Sequence, residues 1–225
     1  MMNSDQEYNI HFNYTSWLFG KYNTTTTSAL RTTHFAPMES WPAQSLTSAG
    51  RQGKSIKNVT ATFKILVKFY GWLNKANPAA TDIIPWMNVR IIVFTLNDNQ
   101  VVTSSITDFW RQLDNAAPME YLRVNRTKVT VLYDKITQFR NDTPYAVNSN
   151  PPAKSVVDKP TLKTKTITVK RRWNNVTFPS ETATNPADPK KITYIAVIPM
   201  TEYVNLTIAD HMVNTAILMN MYYNA

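Results

Sequence analysis

Hydrophobic residues recur at every second position between Ala61 and Phe69. Ala61, Phe63, Ile65, Val67 and Phe69 share one parity, while Thr62, Lys64, Lys68 and Tyr70 fall largely on the other. A period of two predicts a half-buried strand. Just upstream the apolar phase moves from even Ile56 to odd Val59, which one inserted residue explains, so a bulge is expected near Lys57–Asn58. The run VRIIVFTL, Val89 to Leu96, is apolar on both parities and predicts a central strand covered on both faces, inside a sandwich or at a subunit contact. Next, Ile106, Phe109, Trp110 and Leu113 follow the stripe of a short helix, with Ser104 or Ser105 as its cap, set in a long connection.

Further strands are predicted at Lys128 to Lys135, Leu162 to Trp173, Ile192 to Met200 and Thr215 to Ala225. EYNIHFNY alternates through Tyr8, Ile10, Phe12 and Tyr14, and ALRTTHFA is a weaker candidate, which brings the count to about eight. Connections rich in Pro and Asn, notably Pro144 to Pro160 and Thr177 to Pro189, separate several of them, and two-residue hairpin turns are not evident. Strands that exchange between two sheets therefore fit better than a simple meander. The 225 residues suffice for one all-β domain, and the composition agrees, with 4 Gly against 13 Pro and abundant Thr, Asn, Val, Ile and Tyr.

Candidate chemistry narrows quickly. Gly53-Lys54-Ser55 has the closing letters of a phosphate-binding P-loop, but Ser48 stands where the loop's first glycine is needed, and the residues that follow favour a strand over a helix. The chain has no cysteine, which removes disulfides, thiol catalysis and thiolate metal sites. His11, His34 and His211 are not at metal-ligand spacing, and no G-x-S-x-G elbow or D-x-D pair is present. The expectation is a protein that is not an enzyme and has no cofactor and no resident metal. Asp134 and Asp142 are the acids that could meet across subunits around calcium, although surface solvation explains them more simply. No apolar run is long enough for a membrane helix and no export signal opens the chain, so membrane insertion is not expected.

Charge points to a partner. Lys and Arg number 24 against 15 Asp and Glu, a formal net charge of +9, which attracts polyanions. Lys163, Lys165, Lys170, Arg171 and Arg172 crowd one predicted strand, and Lys54, Lys57, Lys64 and Lys68 punctuate another. Basic strands beside aromatics such as Trp173 suit single-stranded nucleic acid, because phosphates supply affinity and rings stack bases of any sequence. The candidate contacts are Arg51, Lys54, Lys57, Lys163, Lys165, Lys170, Arg171 and Arg172. Each could equally be part of an ordinary solvated strand face. KRRW also has the composition of a weak nuclear-import address.

Four short stretches in order resemble the single jelly-roll capsid proteins of small viruses with circular single-stranded DNA, the group of circoviruses, geminiviruses and nanoviruses. Arg51-Gln52-Gly53-Lys54-Ser55-Ile56 matches their R-x-G-x-x-I element, VRIIVFTLNDNQ is similar to their V-R-I strand, RTKVTVLYDK to their R-x-x-V-L-x-D-K strand, and the end of the chain to their aromatic-rich last strand. The resemblance implies an eight-stranded antiparallel jelly-roll sandwich over residues 28–225. Residues 1–27 would be an N-terminal segment, serving as an additional strand or as an inner or intersubunit arm. It implies a virion protein that self-assembles into a closed T=1 shell of about sixty copies around single-stranded nucleic acid, DNA in the first place, with passage through the host nucleus and a host receptor of unknown identity. Those proteins usually open on an Arg- and Lys-rich arm, whereas this chain has no Lys or Arg before Lys21. Either the inner face of the shell carries the genome contacts, or packaging is weak, or a segment precedes the chain. The alternative reading is a monomeric β-sandwich binding module for carbohydrate or single-stranded nucleic acid.

Overall fold

A computed structural model describes residues 5–14, 35–44, 50–69, 86–97, 109, 122–140, 163–200 and 213–224. Eight strands account for most of them: β1 (Asp5–Tyr14), β2 (Ala36–Pro37), β3 (Ser55–Phe69), β4 (Trp86–Leu96), β5 (Val129–Arg140), β6 (Lys163–Thr177), β7 (Thr193–Met200) and β8 (Val213–Asn224). They form two antiparallel four-stranded sheets, ordered β1-β8-β3-β6 and β2-β7-β4-β5. Chain neighbours lie in opposite sheets at most steps, so the strands interleave as in a jelly roll rather than a meander. The segment 1–27 contributes β1, which pairs with β8 along its whole length, from Asp5 opposite Asn224 to Tyr14 opposite Thr215. The helix expected over Ile106 to Leu113 lies outside the described residues except for Phe109. Among the described residues the one helical element is a 3-10 turn at Pro189–Lys191.

The alternation in β3 has the expected effect. Val59, Ala61, Phe63, Ile65, Val67 and Phe69 are buried between the sheets, where Met87, Val89, Ile91 and Val93 of β4 and Ile217, Met219 and Met221 of β8 meet them. Burial of each large aliphatic or aromatic side chain in this layer contributes about 1.5–3 kcal/mol. The bulge is present as well. The pairing of β3 with β8 shifts register between Lys57 and Thr60, and Asn58 takes φ 50°, a left-handed conformation that Asn tolerates better than most residues.

β4 is central, between β7 and β5, and its second apolar face is covered. Ile92, Phe94 and Leu96 pack with Tyr194, Ala196 and Ile198 of β7 under a lid made by Phe35, Phe109, Leu122 and Val124. Phe94 lies 5.0 Å from Phe109 and 5.6 Å from Phe35, ring centre to ring centre. Arg90 ties the lid down. Its guanidinium donates to both carboxylate oxygens of Asp134 at 2.8 Å and to the carbonyl of Leu122 at 2.6 Å. β4 and β7 therefore have apolar layers on both sides, and Asp134, a candidate calcium ligand from sequence, is paired with an arginine.

Candidate nucleic-acid interface

The first sheet turns a different face outward. Strand pairing places Glu7, Tyr222, Thr60 and Arg172 in one row across β1, β8, β3 and β6, and Asn9, Asn220, Thr62 and Lys170 in the next. Below them, Leu218, Lys64 and Thr168 form a third row, Ala216, Leu66 and Thr166 a fourth, and Asn214, Lys68 and Thr164 a fifth. Every one of these positions is exposed or half-buried. Thr and Asn are the commonest uncharged residues on this face, with Lys64, Lys68, Lys170 and Arg172 gathered on β3 and β6. Glu7, an acid on this face, sits three strands away from Arg172, about 14 Å at the usual strand spacing. It accepts a hydrogen bond from the Tyr222 hydroxyl at 3.2 Å and from the Asn9 amide at 3.0 Å.

Such a surface has what a phosphate backbone needs. Cations supply long-range attraction, and threonine hydroxyls and asparagine amides supply uncharged donors for phosphate oxygens. Leu218 and Tyr222, 37% and 46% exposed, offer apolar surface to bases.

Of the eight contacts expected from sequence, the structure brings Lys170 and Arg172 onto this face, beside Lys64 and Lys68. Lys163, Lys165 and Arg171 have the opposite parity, shared with the buried Ile167, Val169 and Trp173. Lys54 and Lys57 are exposed near the bulge that opens β3, and the Lys54 carbonyl accepts from the Phe178 N–H at 2.7 Å.

Arg51 is a correction to the sequence reading. It is fully buried, and its guanidinium donates to five carbonyls: Pro42 at 3.1 Å, Ser180 at 3.3 Å, Glu181 at 2.6 Å, and Gly53 and Ala183. It also lies 4.0 Å over the ring of Phe178. Backbone carbonyls surround the guanidinium, and this arginine fastens the chain before β3 to the turn after β6. The R-x-G-x-x-I element is a structural clasp here, with Ile56 anchored in the core.

Arg171 also turns inward. Its guanidinium lies 5.2 Å from the centre of the Trp173 ring and within electrostatic reach of Glu39. Glu39 is 7% exposed and accepts the Thr193 N–H at 2.8 and 2.9 Å through its two carboxylate oxygens. Burial pushes its pKa up to about 8, against the lowering effects of Thr193 and Arg171, so at neutral pH this acid is largely protonated. Nothing in the sequence around Glu39 signalled its burial.

No protein-family model matches the chain, and no curated protein matches it. Among solved structures the chain is similar to a chain of "KBV activated particle at acidic pH". The two are 9% identical, the match covers 98% of this chain and 69% of the other, and the TM-score is 0.34. At that score the likeness carries no argument about what this chain does.

Proposed function

We propose that the protein is a viral capsid subunit whose first sheet presents its open, basic face to an enclosed single-stranded nucleic acid. The observation that carries this reading is the contrast between the two sheets. In the β2-β7-β4-β5 sheet a second apolar layer covers β4, β7 and the start of β5, while the β1-β8-β3-β6 sheet leaves a Thr- and Asn-rich face studded with Lys64, Lys68, Lys170 and Arg172. Jelly rolls build capsids, but also lectins and cupins, so the fold alone does not choose. Net charge of +9 and cations grouped on one flat face favour a polyanionic partner over a neutral sugar. The four-motif resemblance to capsid proteins of circular single-stranded DNA viruses favours a shell, and DNA within it.

The test is negative-stain microscopy of nuclease-treated protein, with the ratio of absorbance at 260 and 280 nm read on the same fractions. Uniform closed shells with a raised ratio are expected. Replacing Lys64, Lys68, Lys170 and Arg172 together by Gln should lower the ratio while shells persist. Monomers at every salt and pH would overturn the shell and favour the binding module. Intact shells with unchanged nucleic acid in the variant would overturn the role of the face.

A further inference from the structure

At the end of β6, where the strand gives way to the turn leading to β7, lies an open cleft of about 550 Å³. Four cations line it, Arg171 and Arg172 from one wall and Lys190 and Lys191 from the other, against one acid, Asp188. The walls are joined. The Ala187 N–H donates to the Thr177 carbonyl at 2.8 Å, and the 3-10 turn is set by Pro189 and by the Asp188 side chain, which accepts the Lys190 N–H at 3.0 Å. Asp188 thus has one oxygen committed to its own backbone, and among the described residues none of the four cations is in an ion pair. The nearest buried acid, Glu39, is held largely neutral, so it does not cancel the charge of Arg171.

Four positive charges around one cleft repel one another, a cost that an anion bearing several charges relieves better than a singly charged one. Arginine forks suit phosphate oxygens, and Asn174 and Asn175 add neutral donors. The Nε of Arg171 is buried without a hydrogen-bond partner, and a small movement of that side chain toward an anion would satisfy it. Trp173 shows only 5% of its surface, so the cleft has no open ring on which to stack a base.

We propose that this cleft is a binding site for closely spaced phosphate groups, recognised by charge without reference to any base. The occupant is either a free polyphosphate group or consecutive phosphates of a nucleic-acid strand. The site does not depend on shell assembly, and it is distinct from the sheet face apart from Arg172, which borders both.

The test uses the full chain, freed of nucleic acid by high salt, titrated calorimetrically with inorganic triphosphate at low ionic strength. Lys190→Gln/Lys191→Gln should weaken triphosphate binding by at least about tenfold, the scale of losing hydrogen bonds to a charged group. Lys64→Gln/Lys68→Gln on the sheet face should leave it unchanged. No measurable binding to the wild type, or equal loss in both variants, would overturn the site. A short thymidine oligonucleotide then identifies the occupant, and either result is compatible with the site. Displacement of the oligonucleotide by triphosphate in the wild type but not in Lys190→Gln/Lys191→Gln assigns the cleft to a strand, and simultaneous binding of both assigns it to a free polyphosphate. Shell formation and triphosphate binding are separate readouts, so the two proposals fail separately.

Discussion

Replacing Arg51 by Met separates a clasp from a phosphate contact. Methionine keeps an unbranched chain against Phe178 but removes the guanidinium, leaving the carbonyls of Pro42, Gly53, Ser180, Glu181 and Ala183 without that donor. A hydrogen bond to a charged group contributes roughly 1.5–3 kcal/mol, and a simple sum over five would rival the whole stability of a domain. The sum overstates the effect. Three of the contacts share one nitrogen, and the wild type already bears the cost of burying the cation. The expected loss is therefore about 3–5 kcal/mol, the scale of breaking a buried charge network. Urea unfolding followed by tryptophan fluorescence is well placed to read it, because Trp41 lies 6.0 Å from Phe178 and 5.3 Å from Trp173.

Salt adds a second arm to that assay. The acceptors are neutral backbone groups and the Glu181 carboxylate is the one acid acting on Arg51 among the described residues, so the loss should change only weakly with ionic strength. Lys in place of Arg51 should recover only part of it, since an ammonium lacks the planar fork that reaches separate carbonyls. A loss under about 1 kcal/mol, combined with reduced nucleic-acid content, would refute the clasp and return Arg51 to the list of phosphate contacts.

Three other expectations follow from neighbouring features. Glu39 is protonated in the folded protein up to a pKa of about 8, against 4.5 for an ordinary Glu, so stability should fall as pH rises between those values, by about 5 kcal/mol in all. Glu39→Gln, which still accepts from Thr193, should flatten that dependence in urea melts at pH 5, 7 and 9; parallel curves for the two proteins would contradict the assignment. Asp134→Asn breaks the paired contact to Arg90 beneath the Leu122 segment and should cost about 2–4 kcal/mol by thermal melting, and a neutral result would mean that the lid is held by packing alone. Removing the charges of Lys64, Lys68, Lys170 and Arg172 should reduce the slope of log affinity against log salt for a single strand by about 2.8, at roughly 0.7 per phosphate contact, and an unchanged slope would place the strand elsewhere.

Much of the fold was legible because it follows from parity. The run from Ala61 to Phe69, the phase change at Ile56 and Val59, and the two-faced apolar strand at Val89 to Leu96 each reappear, as β3, its bulge and the doubly covered β4. β5 continues to Arg140, beyond the predicted Lys135, in a stretch where pairing with β4 overrides the weak pattern of TQFR. The weak strand ALRTTHFA corresponds to no more than Ala36–Pro37 among the described residues, a two-residue edge next to β7. Proline has no N–H to donate to a ladder, and such a strand leaves almost no periodic trace.

The site was legible in composition and illegible in burial. Parity within β6 already divides its cations, because Ile167, Val169 and Trp173 assign the odd positions to the interior and so place Lys170 and Arg172 outside and Arg171 within. Counting the charges of KRRW as one patch discards that information. For Arg51 no local pattern would have sufficed, since three of its five acceptors lie about 130 residues away and only the closed sandwich brings them near. Lys190 and Lys191 are the converse case. Their signal was Asp188-Pro189 just before two lysines, a turn-forming pair that fixes where the cations point, and its meaning depends on the end of β6 standing opposite. Among the described residues the basic side chains thus divide by what surrounds them: the Arg51 guanidinium, enclosed by carbonyls, stabilises the fold, whereas Lys190 and Lys191, in no ion pair, stand ready to meet an anion.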